Sequence, residues 1–339
     1  MLFRSGRVDY DGRPIFKIPC DDFVYELKKI SDDVEVIPAH CLTPWFSIFG
    51  SNSGYNTVEE CFKDQTKNVY ALETGISADP SMIYRVEDWR KYTLVSNSDS
   101  HSFWPWRNGR EATLFDMKKI TYKNFIKSIR EKTIAGTIEV DPSYGKYHYT
   151  GHRNCNIVMN PADGLKIHNM CPKCKSKMTV GVASRVEELA DKPEGFMPKD
   201  APKYYSLLPL SELISGLYKT PIASKKTWEV YNKLLLKFGN EFEILLNADL
   251  PELLKIVDEK LANLIIDNRH GKIKVKPGFD GVYGIPLIHG DEDYDFSETD
   301  AEMKENIDEW KSQKESKTKY SKNKKSLKNE NYSKKIKSS

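Results

Sequence analysis

The stretch that decides the fold is Leu94-Val-Ser-Asn-Ser-Asp-Ser-His101, in which a short apolar run passes directly into polar residues. The apolar run predicts the end of a buried strand, and Asp99 and His101 follow it two residues apart. Side chains two apart on an extended chain point the same way, so this pair can bind one metal ion. A carboxylate oxygen and an imidazole nitrogen are ligands of hydrolytic Zn, Mn or Fe sites. The alternative interpretation is a polar turn with a hydrogen-bonded His.

Two further segments repeat this pattern of an apolar run followed by a polar tip. Residues 34–37 lead to His40, and residues 69–72 lead to Glu73. The polar tips lie 33 residues (40 to 73) and 26 residues (73 to 99) apart, which is the length of a strand–helix repeat. In a (β/α) barrel the carboxyl ends of the strands meet on one face, where active sites lie. The pattern therefore predicts that His40, Glu73 and Asp99 converge on one metal-binding face.

The predicted barrel is incomplete. Strands are also predicted at 92–95 and 136–140, which makes only about four strands by residue 145, whereas a closed barrel needs about eight strands and ~200 residues. We therefore predict an α/β fold in which residues 1–145 form the C-terminal part of a barrel. A partner chain or a missing N-terminal segment is expected to complete it.

Loops on the predicted barrel face carry aromatic and basic side chains. Trp45 lies in an aromatic loop that either stacks on a nucleobase or packs as a lid on the barrel. Arg107 and Arg110 either hold a phosphate or pair with glutamates at the surface. We take Trp45 and Arg110, together with Glu73 and Asn97, as candidate pocket residues.

Residues 146–192 contain a cysteine cluster. Its members are Cys155, Cys171 and Cys174. Two cysteines three residues apart make a knuckle that is typical of structural zinc sites, and this predicts a zinc-ribbon-like module. A second cysteine pair is absent because Val158 stands three residues after Cys155. The fourth ligand is therefore His152, or His168, or there is none and the module is held by packing alone.

The C-terminal part of the chain divides into two regions. Residues 193–289 show strong helical periodicity and end in a predicted β-hairpin, so we predict a helical domain there. Residues 290–309 hold ten acidic residues and one Lys, and residues 310–339 hold eleven Lys and two Glu. The net charges of −9 and +9 cancel, and the whole chain carries +3. We expect residues 290–339 to be a disordered tail whose lysines favour a polyanionic partner.

Composition gives only broad limits on the class of protein. Of 339 residues, 39% are hydrophobic and 30% are charged, which is enough apolar material for a core. The absence of a signal peptide or a long apolar run predicts a cytoplasmic protein, with association with the nucleoid as an extension of that prediction. The six cysteines, three scattered and three clustered, fit a reducing compartment with a metal site.

Several motifs spread over about residues 10–290 carry a family resemblance. They are Pro38-Ala-His40, Pro44-Trp-Phe46, Leu72-Glu-Thr-Gly75, Ser96-Asn-Ser-Asp-Ser-His101, Gly109-Arg-Glu-Ala112, Lys146-Tyr-His-Tyr149 and Pro277-Gly-Phe-Asp-Gly-Val-Tyr-Gly284. This combination resembles the endonuclease Q family, a branch of the polymerase-and-histidinol-phosphatase (PHP) metal hydrolases. The resemblance implies a DNA repair endonuclease that nicks on the 5′ side of deaminated bases (uracil, hypoxanthine and xanthine) and of abasic sites.

The resemblance also implies roles for individual residues. His40, Asp99 and His101 match ligands of a divalent metal (Zn, Mg or Mn) in a PHP-type barrel, and Asp99 matches the acid nearest the chemistry. Glu73 is implied only as a pocket residue on the same face. DNA is the implied partner, and no membrane partner is expected.

Two features depart from the family pattern. The family's His-x-His strand and further ligands would precede Met1, and Val158 replaces one ribbon cysteine. The sequence therefore supports two hypotheses. The chain is a repair endonuclease whose sequence begins late, or it is a non-catalytic nucleic-acid-binding remnant or subunit that lacks the N-terminal metal ligands.

Overall fold

The computed structural model describes residues 17–288, which form a mixed α/β fold. The α-helices are α1 (Cys20–Ile30), α2 (Val58–Phe62), α3 (Pro80–Ile83), α4 (Pro105–Asn108), α5 (Tyr122–Arg130), α6 (Pro161–Lys166), α7 (Val182–Leu189), α8 (Leu210–Tyr218), α9 (Lys225–Phe238), α10 (Leu250–Leu253) and α11 (Glu259–Arg269). The strands are β1 (Ala71–Glu73), β2 (Thr93–Val95), β3 (Ala112–Leu114), β4 (Gly136–Glu139), β5 (Thr150–His152), β6 (Ile157–Met159), β7 (Lys203–Ser206), β8 (Val275–Lys276) and β9 (Ile285–Pro286). The predicted α/β class is confirmed.

Strands β1 and β2 form the parallel pair on which the site is built. Glu73 lies opposite Val95, and every residue of both strands is buried, as expected where helices cover both faces of a pair. The connection between them contains α3 and packs the buried ring of Trp89 on Phe49, with centroids 4.4 Å apart. The polar residues after each strand therefore leave the sheet at the same edge.

The strand predicted at residues 34–37 does not form. The chain joins the β1 edge just after it, where the Glu73 N–H donates to the Pro38 carbonyl at 3.1 Å and the Cys41 N–H donates to the Glu73 carbonyl at 3.0 Å. These two bonds place His40 at the same edge as the tips of β1 and β2. The predicted convergence of the polar tips thus holds, although a loop rather than a strand supplies His40.

Strand β4 belongs to a different sheet. It pairs antiparallel with β3 and parallel with β7. Side chains rather than a backbone ladder connect it to the first pair, since the Ser96 hydroxyl donates to the Ile138 carbonyl at 3.1 Å and the Thr74 hydroxyl donates to Glu139 at 2.9 Å. The strands of residues 17–288 form four separate sheets, so the PHP-type barrel is not confirmed.

The cysteine-rich segment contains a short hairpin. Strands β5 and β6 pair antiparallel with Gly151 opposite Val158, and Gly151 exchanges two 3.0 Å backbone hydrogen bonds with Thr179. A small core of its own, which includes Met159 and Ile167, lies beneath the hairpin. Compactness of this kind is expected of a ribbon module.

The C-terminal helices pack around a second large core. Buried side chains from several helices meet there, among them Leu213, Leu234 and Ile265. The helical periodicity of residues 250–266 does not correspond to one continuous helix. Helix α10 ends at Leu253, and α11 begins only after Asp258, whose carboxylate caps it by accepting the Leu261 N–H at 3.0 Å. The predicted hairpin is present as the short β8–β9 pair.

Some predictions are not tested by these residues. The acidic and lysine-rich tail, 290–339, lies outside the described residues. The boundaries drawn at 145 and 192 remain predictions. No helix within 17–288 combines the length and apolarity needed to cross a bilayer.

Candidate functional site

A cleft of about 310 Å³ opens at the edge where the polar tips meet. The residues that line it include His40, Trp45, Asp99, Arg110, Lys146 and Tyr147. Two cationic side chains, an acid, an imidazole and two aromatic rings thus share one surface. The Trp45 ring packs edge-on against Tyr147 with centroids 5.3 Å apart, so part of this aromatic lining is held by internal packing.

Glu73 ties the elements at this edge together. One carboxylate oxygen accepts the backbone N–H of His40 at 2.8 Å, and the other accepts the side-chain amide of Asn97 at 2.9 Å. Glu73 is only 9% exposed, so both hydrogen bonds are shielded from water. Breaking either bond would leave a buried polar group without a partner, which costs free energy. Glu73 and Asn97, whose role as pocket residues remains a prediction, join the tip of β1 to the tip of β2 and to the segment that carries His40.

His40 is held in an unusual backbone conformation. Its φ is 33°, and its Nδ1 lies 3.1 Å from the Thr43 hydroxyl. Gly75, with φ of 63°, packs directly beneath it, because a Cβ at that position would come within 2.8 Å of the His40 Cβ. A glycine is therefore required for His40 to approach the β1 tip.

Asp99 and His101 form the pair that the sequence predicts. The Asp99 carboxylate and the His101 Nε2 lie 3.4 Å apart, and more than half of each side chain is exposed. Asp99 adopts a φ of 42°, which turns the chain sharply between them. Two donor atoms of suitable chemistry therefore point to one place.

A complete metal site does not form around this pair in the described chain. Residues 17–288 hold one group of three or more potential ligands whose donor atoms lie within 4.8 Å of one another, and it lies in the ribbon module. His40, Asp99 and His101 share the edge but do not form such a group. Their role as metal ligands remains a prediction.

The sequence did not predict two buried acids, of which one directly follows Arg110 and the other accepts a hydrogen bond from Thr74 beside the β1 tip. Glu111 and Glu139 are 4% and 0% exposed, and each has one carboxylate oxygen without a hydrogen-bond partner among the described residues. Burial raises the pKa of Glu111 to about 8, and burial together with the nearby Glu111 raises the pKa of Glu139 well above its ordinary value. The sequence did contain one signal of a buried acid, since Glu139 lies in the apolar segment that forms strand β4.

Arg110 is anchored at the rim of the cleft. Its guanidinium donates to the Ser98 carbonyl at 3.1 Å, and its Nε is buried without a partner among the described residues. Arg107 does not line the cleft, and its guanidinium carbon lies 5.9 Å from the centroid of the Tyr283 ring, over which Lys146 also lies. Of the two arginines singled out in the sequence, only Arg110 lines the cleft together with Lys146.

The ribbon module contains the one complete ligand cluster found within residues 17–288. Donor atoms of four residues lie within 4.8 Å of one another, and these are His152, Cys155, Cys171 and Cys174. The hairpin supplies the histidine at the end of β5, and His168 is not part of the group. The His152 Nδ1 lies 3.2 Å from the Cys174 Sγ. Tetrahedral zinc with bonds of about 2.0–2.3 Å needs donor atoms roughly 3.5–3.8 Å apart, so the cluster fits that ion.

The acidity of one thiol in this cluster, that of Cys174, favours a metal, whereas desolvation and hydrogen bonds with Cys174 and Cys171 raise the pKa of Cys155 to about 11. A hydrogen bond with the Ser176 hydroxyl lowers the pKa of Cys174 to about 6, which favours the thiolate that binds zinc. Val158 lies in β6 opposite Gly151 and contributes no ligand. The knuckle therefore needs only three cysteines, because the hairpin brings His152 to the fourth position.

Comparison with known proteins places these features in context. Residues 209–272 match the family model of the MJ0043 C-terminal domain. The chain is 36% identical over 294 residues to protein MJ0043 of Methanocaldococcus jannaschii, covering 84% of this chain and 35% of that protein. It is 31% identical over 252 residues to YqxK of Bacillus subtilis, covering 73% and 59% respectively. The chain thus spans less than two thirds of either relative.

Two solved structures are also similar. One is the lesion-specific endonuclease PfuEndoQ from Pyrococcus furiosus, with a TM-score of 0.74, 29% identity and coverage of 87% of this chain and 73% of that one. The other is an endonuclease Q in complex with a 27-mer duplex substrate carrying an abasic lesion at its active site. That comparison gives a TM-score of 0.75, 29% identity and coverage of 86% and 72%. These similarities agree with the motif resemblance along nearly the whole described chain.

Proposed function

Because this chain belongs to the endonuclease Q family, we propose that it recognises damaged DNA as part of a metal-dependent repair endonuclease. The proposed substrates are duplexes that contain uracil, hypoxanthine, xanthine or an abasic site, nicked on the 5′ side of the lesion. The observation that carries the proposal is the cleft itself. It combines Asp99 with the cations Arg110 and Lys146 at the meeting point of three loops.

The cationic residues suit the DNA backbone. Arg110 is already oriented by its bond to Ser98, so it can hold a phosphate without first losing side-chain freedom. Lys146 lines the same cleft. The Trp45 ring, which is 42% exposed and packs edge-on against Tyr147, offers an apolar surface for a base that has left the stack.

The proposed chemistry needs more ligands than the described chain brings together. A bound divalent ion (Zn, Mg or Mn) would supply Lewis acidity at the scissile phosphate. Asp99 and His101 are proposed as two of its ligands and His40 as a third, with Asp99 nearest the reacting group. Because these three do not form a complete donor set, we expect this chain on its own to bind lesions but to cleave them poorly.

A separate role is proposed for the ribbon cluster. Zinc held by His152, Cys155, Cys171 and Cys174 would leave no open position, so its role would be structural. The ion would fasten the knuckle to the β5–β6 hairpin. The hairpin in turn contacts the C-terminal Gly-rich turn, since the backbone N–H of Arg153, between β5 and β6, donates to the Asp280 carboxylate at 2.6 Å.

A second candidate function is a non-catalytic DNA-binding subunit. The incomplete donor set around Asp99 is the observation that favours it. In this case the cleft and the ribbon module would bind DNA and a different chain would cut it. A cytoplasmic, nucleoid-associated location is proposed for either function.

The decisive experiment compares binding and cleavage by the purified chain. We expect tighter binding to a duplex with an abasic site or uracil than to the undamaged duplex, with little nicking in Mg²⁺ or Mn²⁺. Equal binding to damaged and undamaged duplexes would contradict lesion recognition. If a longer form that supplies further ligands cleaves the lesion strand, Asp99→Asn in it should abolish nicking and spare binding, and activity retained by that variant would remove Asp99 from the chemistry.

A further inference from the structure

Phe46 stands at the rim of the cleft with 89% of its surface exposed. Its backbone φ is 57°, in the left-handed region that bulky residues rarely adopt because the Cβ crowds the following carbonyl. A ring that is almost fully exposed gains little from burial. Packing within the described chain therefore does not explain why a phenylalanine is held in this conformation.

The loop that presents Phe46 is rigidly built. The Thr43 hydroxyl donates to the Trp45 carbonyl at 2.8 Å, and the Ser47 hydroxyl donates to the Thr43 carbonyl at 2.6 Å. The loop then closes on itself, because a Cβ on Gly50 would come within 1.9 Å of the Thr43 oxygen. Phe46 is thus displayed by a preorganised turn rather than by a loose segment, and little order would have to be gained on binding.

The surroundings of Phe46 define the chemistry of its occupant. Lys146 and Arg110 line the same cleft, so a ligand that covers the phenyl ring also meets two cations. The occupant must therefore carry an apolar face next to negative charge. Duplex DNA meets this requirement, since its base pairs have apolar faces and its phosphates lie at their edges.

Resting on the proposed lesion recognition, we propose that Phe46 is a wedge that enters the base stack at the lesion. The ring would fill the space left by a base that is missing or has turned out of the helix. Stacking on the flanking base pairs would then hold the DNA open above Asp99, while Lys146 and Arg110 retain the backbone. Phe46 would act as a positioning residue, since it does not contact the reacting atoms.

The first test measures equilibrium binding of Phe46→Ala to a duplex with one abasic site. We expect a loss of roughly 5- to 150-fold in affinity, the range found when a stacked aromatic is removed, while Phe46→Trp retains most of it. Binding to undamaged duplex should change by about twofold or less. The control is Ile120→Ala, which removes an equally exposed apolar side chain (90%) outside the cleft and should change neither affinity.

The second test uses a duplex in which the space at the lesion is already filled. A pyrene nucleotide placed opposite the abasic site occupies the space that the wedge would enter, so Phe46→Ala should bind this duplex as well as the wild type does. A deficit that persists there would show that Phe46 acts outside the stack and would overturn the proposal.

Two further outcomes separate the wedge from the function on which it rests. If the wild type prefers the lesion and Phe46→Ala keeps that preference, the wedge is wrong and lesion recognition stands. If Phe103→Ala alone shows the pyrene-dependent loss, the wedge belongs to that fully exposed phenylalanine instead. A wild type with no lesion preference would contradict the proposed function itself.

Discussion

The side-chain amide of Asn97 donates a 2.9 Å hydrogen bond to the carboxylate of Glu73, and this bond joins the tip of β2 to the tip of β1. The second Glu73 oxygen holds the backbone of His40. One buried carboxylate therefore sets the relative positions of the three segments that carry the candidate ligands. It does so through its acceptor capacity, which an ionised glutamate has on both oxygens.

Removing this carboxylate should loosen the site. Glu73→Ala leaves the Asn97 amide and the His40 N–H without their acceptors, so we expect the free energy of unfolding to fall by about 1–3 kcal/mol and affinity for abasic DNA to fall with it. Glu73→Gln keeps the shape but loses one acceptor, and should lie between wild type and Glu73→Ala. Urea unfolding and equilibrium binding measure both effects. Unchanged stability in Glu73→Ala would show that water replaces both bonds at no cost.

The ribbon cluster should bind about one equivalent of zinc, because its four donors complete a tetrahedral set. Elemental analysis of the purified chain measures the metal content. His152→Ala should lose the ion or bind it much more weakly, whereas the matched variant His168→Ala should retain it. Well-folded protein without zinc would instead mean that the module is held by packing alone.

Stability should depend on pH through Glu111. The unfolded chain ionises this carboxyl near its ordinary pKa of 4.5, whereas the folded chain keeps the proton until about pH 8. The folded state therefore binds more protons between these values, and the free energy of unfolding should decline as the pH rises from 4.5 to 8. Glu111→Gln should make this decline shallower.

Urea unfolding at several pH values tests the Glu111 prediction. The exposed residue Glu194 provides a control, because Glu194→Gln should leave the pH dependence as it is in the wild type. Identical slopes in Glu111→Gln and wild type would show that Glu111 is hydrated or paired in solution.

The lysine-rich segment 310–339 should add affinity for DNA without adding lesion preference. Each lysine that contacts a phosphate releases a counterion. Contact with about four or five phosphates therefore gives the logarithm of the DNA-binding constant a slope of about −4 against the logarithm of the salt concentration. The neighbouring acidic segment, with a net charge of −9, should make the observed slope shallower than the eleven lysines suggest. Binding by the chain truncated after His289 is compared with the full chain at several salt concentrations. Equal salt slopes would show that the tail is inert, and a lost lesion preference would make it part of the recognition surface.

Local features of the site could be predicted from the sequence. The Asp99–His101 pair and the Cys171–Cys174 knuckle lie within a few residues, so their spacing alone brings their donors together. The mixed α/β class and the C-terminal hairpin followed from periodicity and glycine placement. These local features could be predicted because short-range geometry and hydrophobic patterning are properties of the chain itself, whereas the metal-ligand role of Asp99 and His101 remains a prediction.

Only the tertiary structure decided which distant residues meet. It placed His152 rather than His168 with the three thiols, and it buried Glu111, which directly precedes β3, beside Glu139 at the end of β4. It also replaced the predicted strand at 34–37 by a loop fastened to β1 through two backbone bonds. Strand pairing and long-range contact depend on how separate segments compete for the same partners, and no local pattern in one segment records the outcome of that competition.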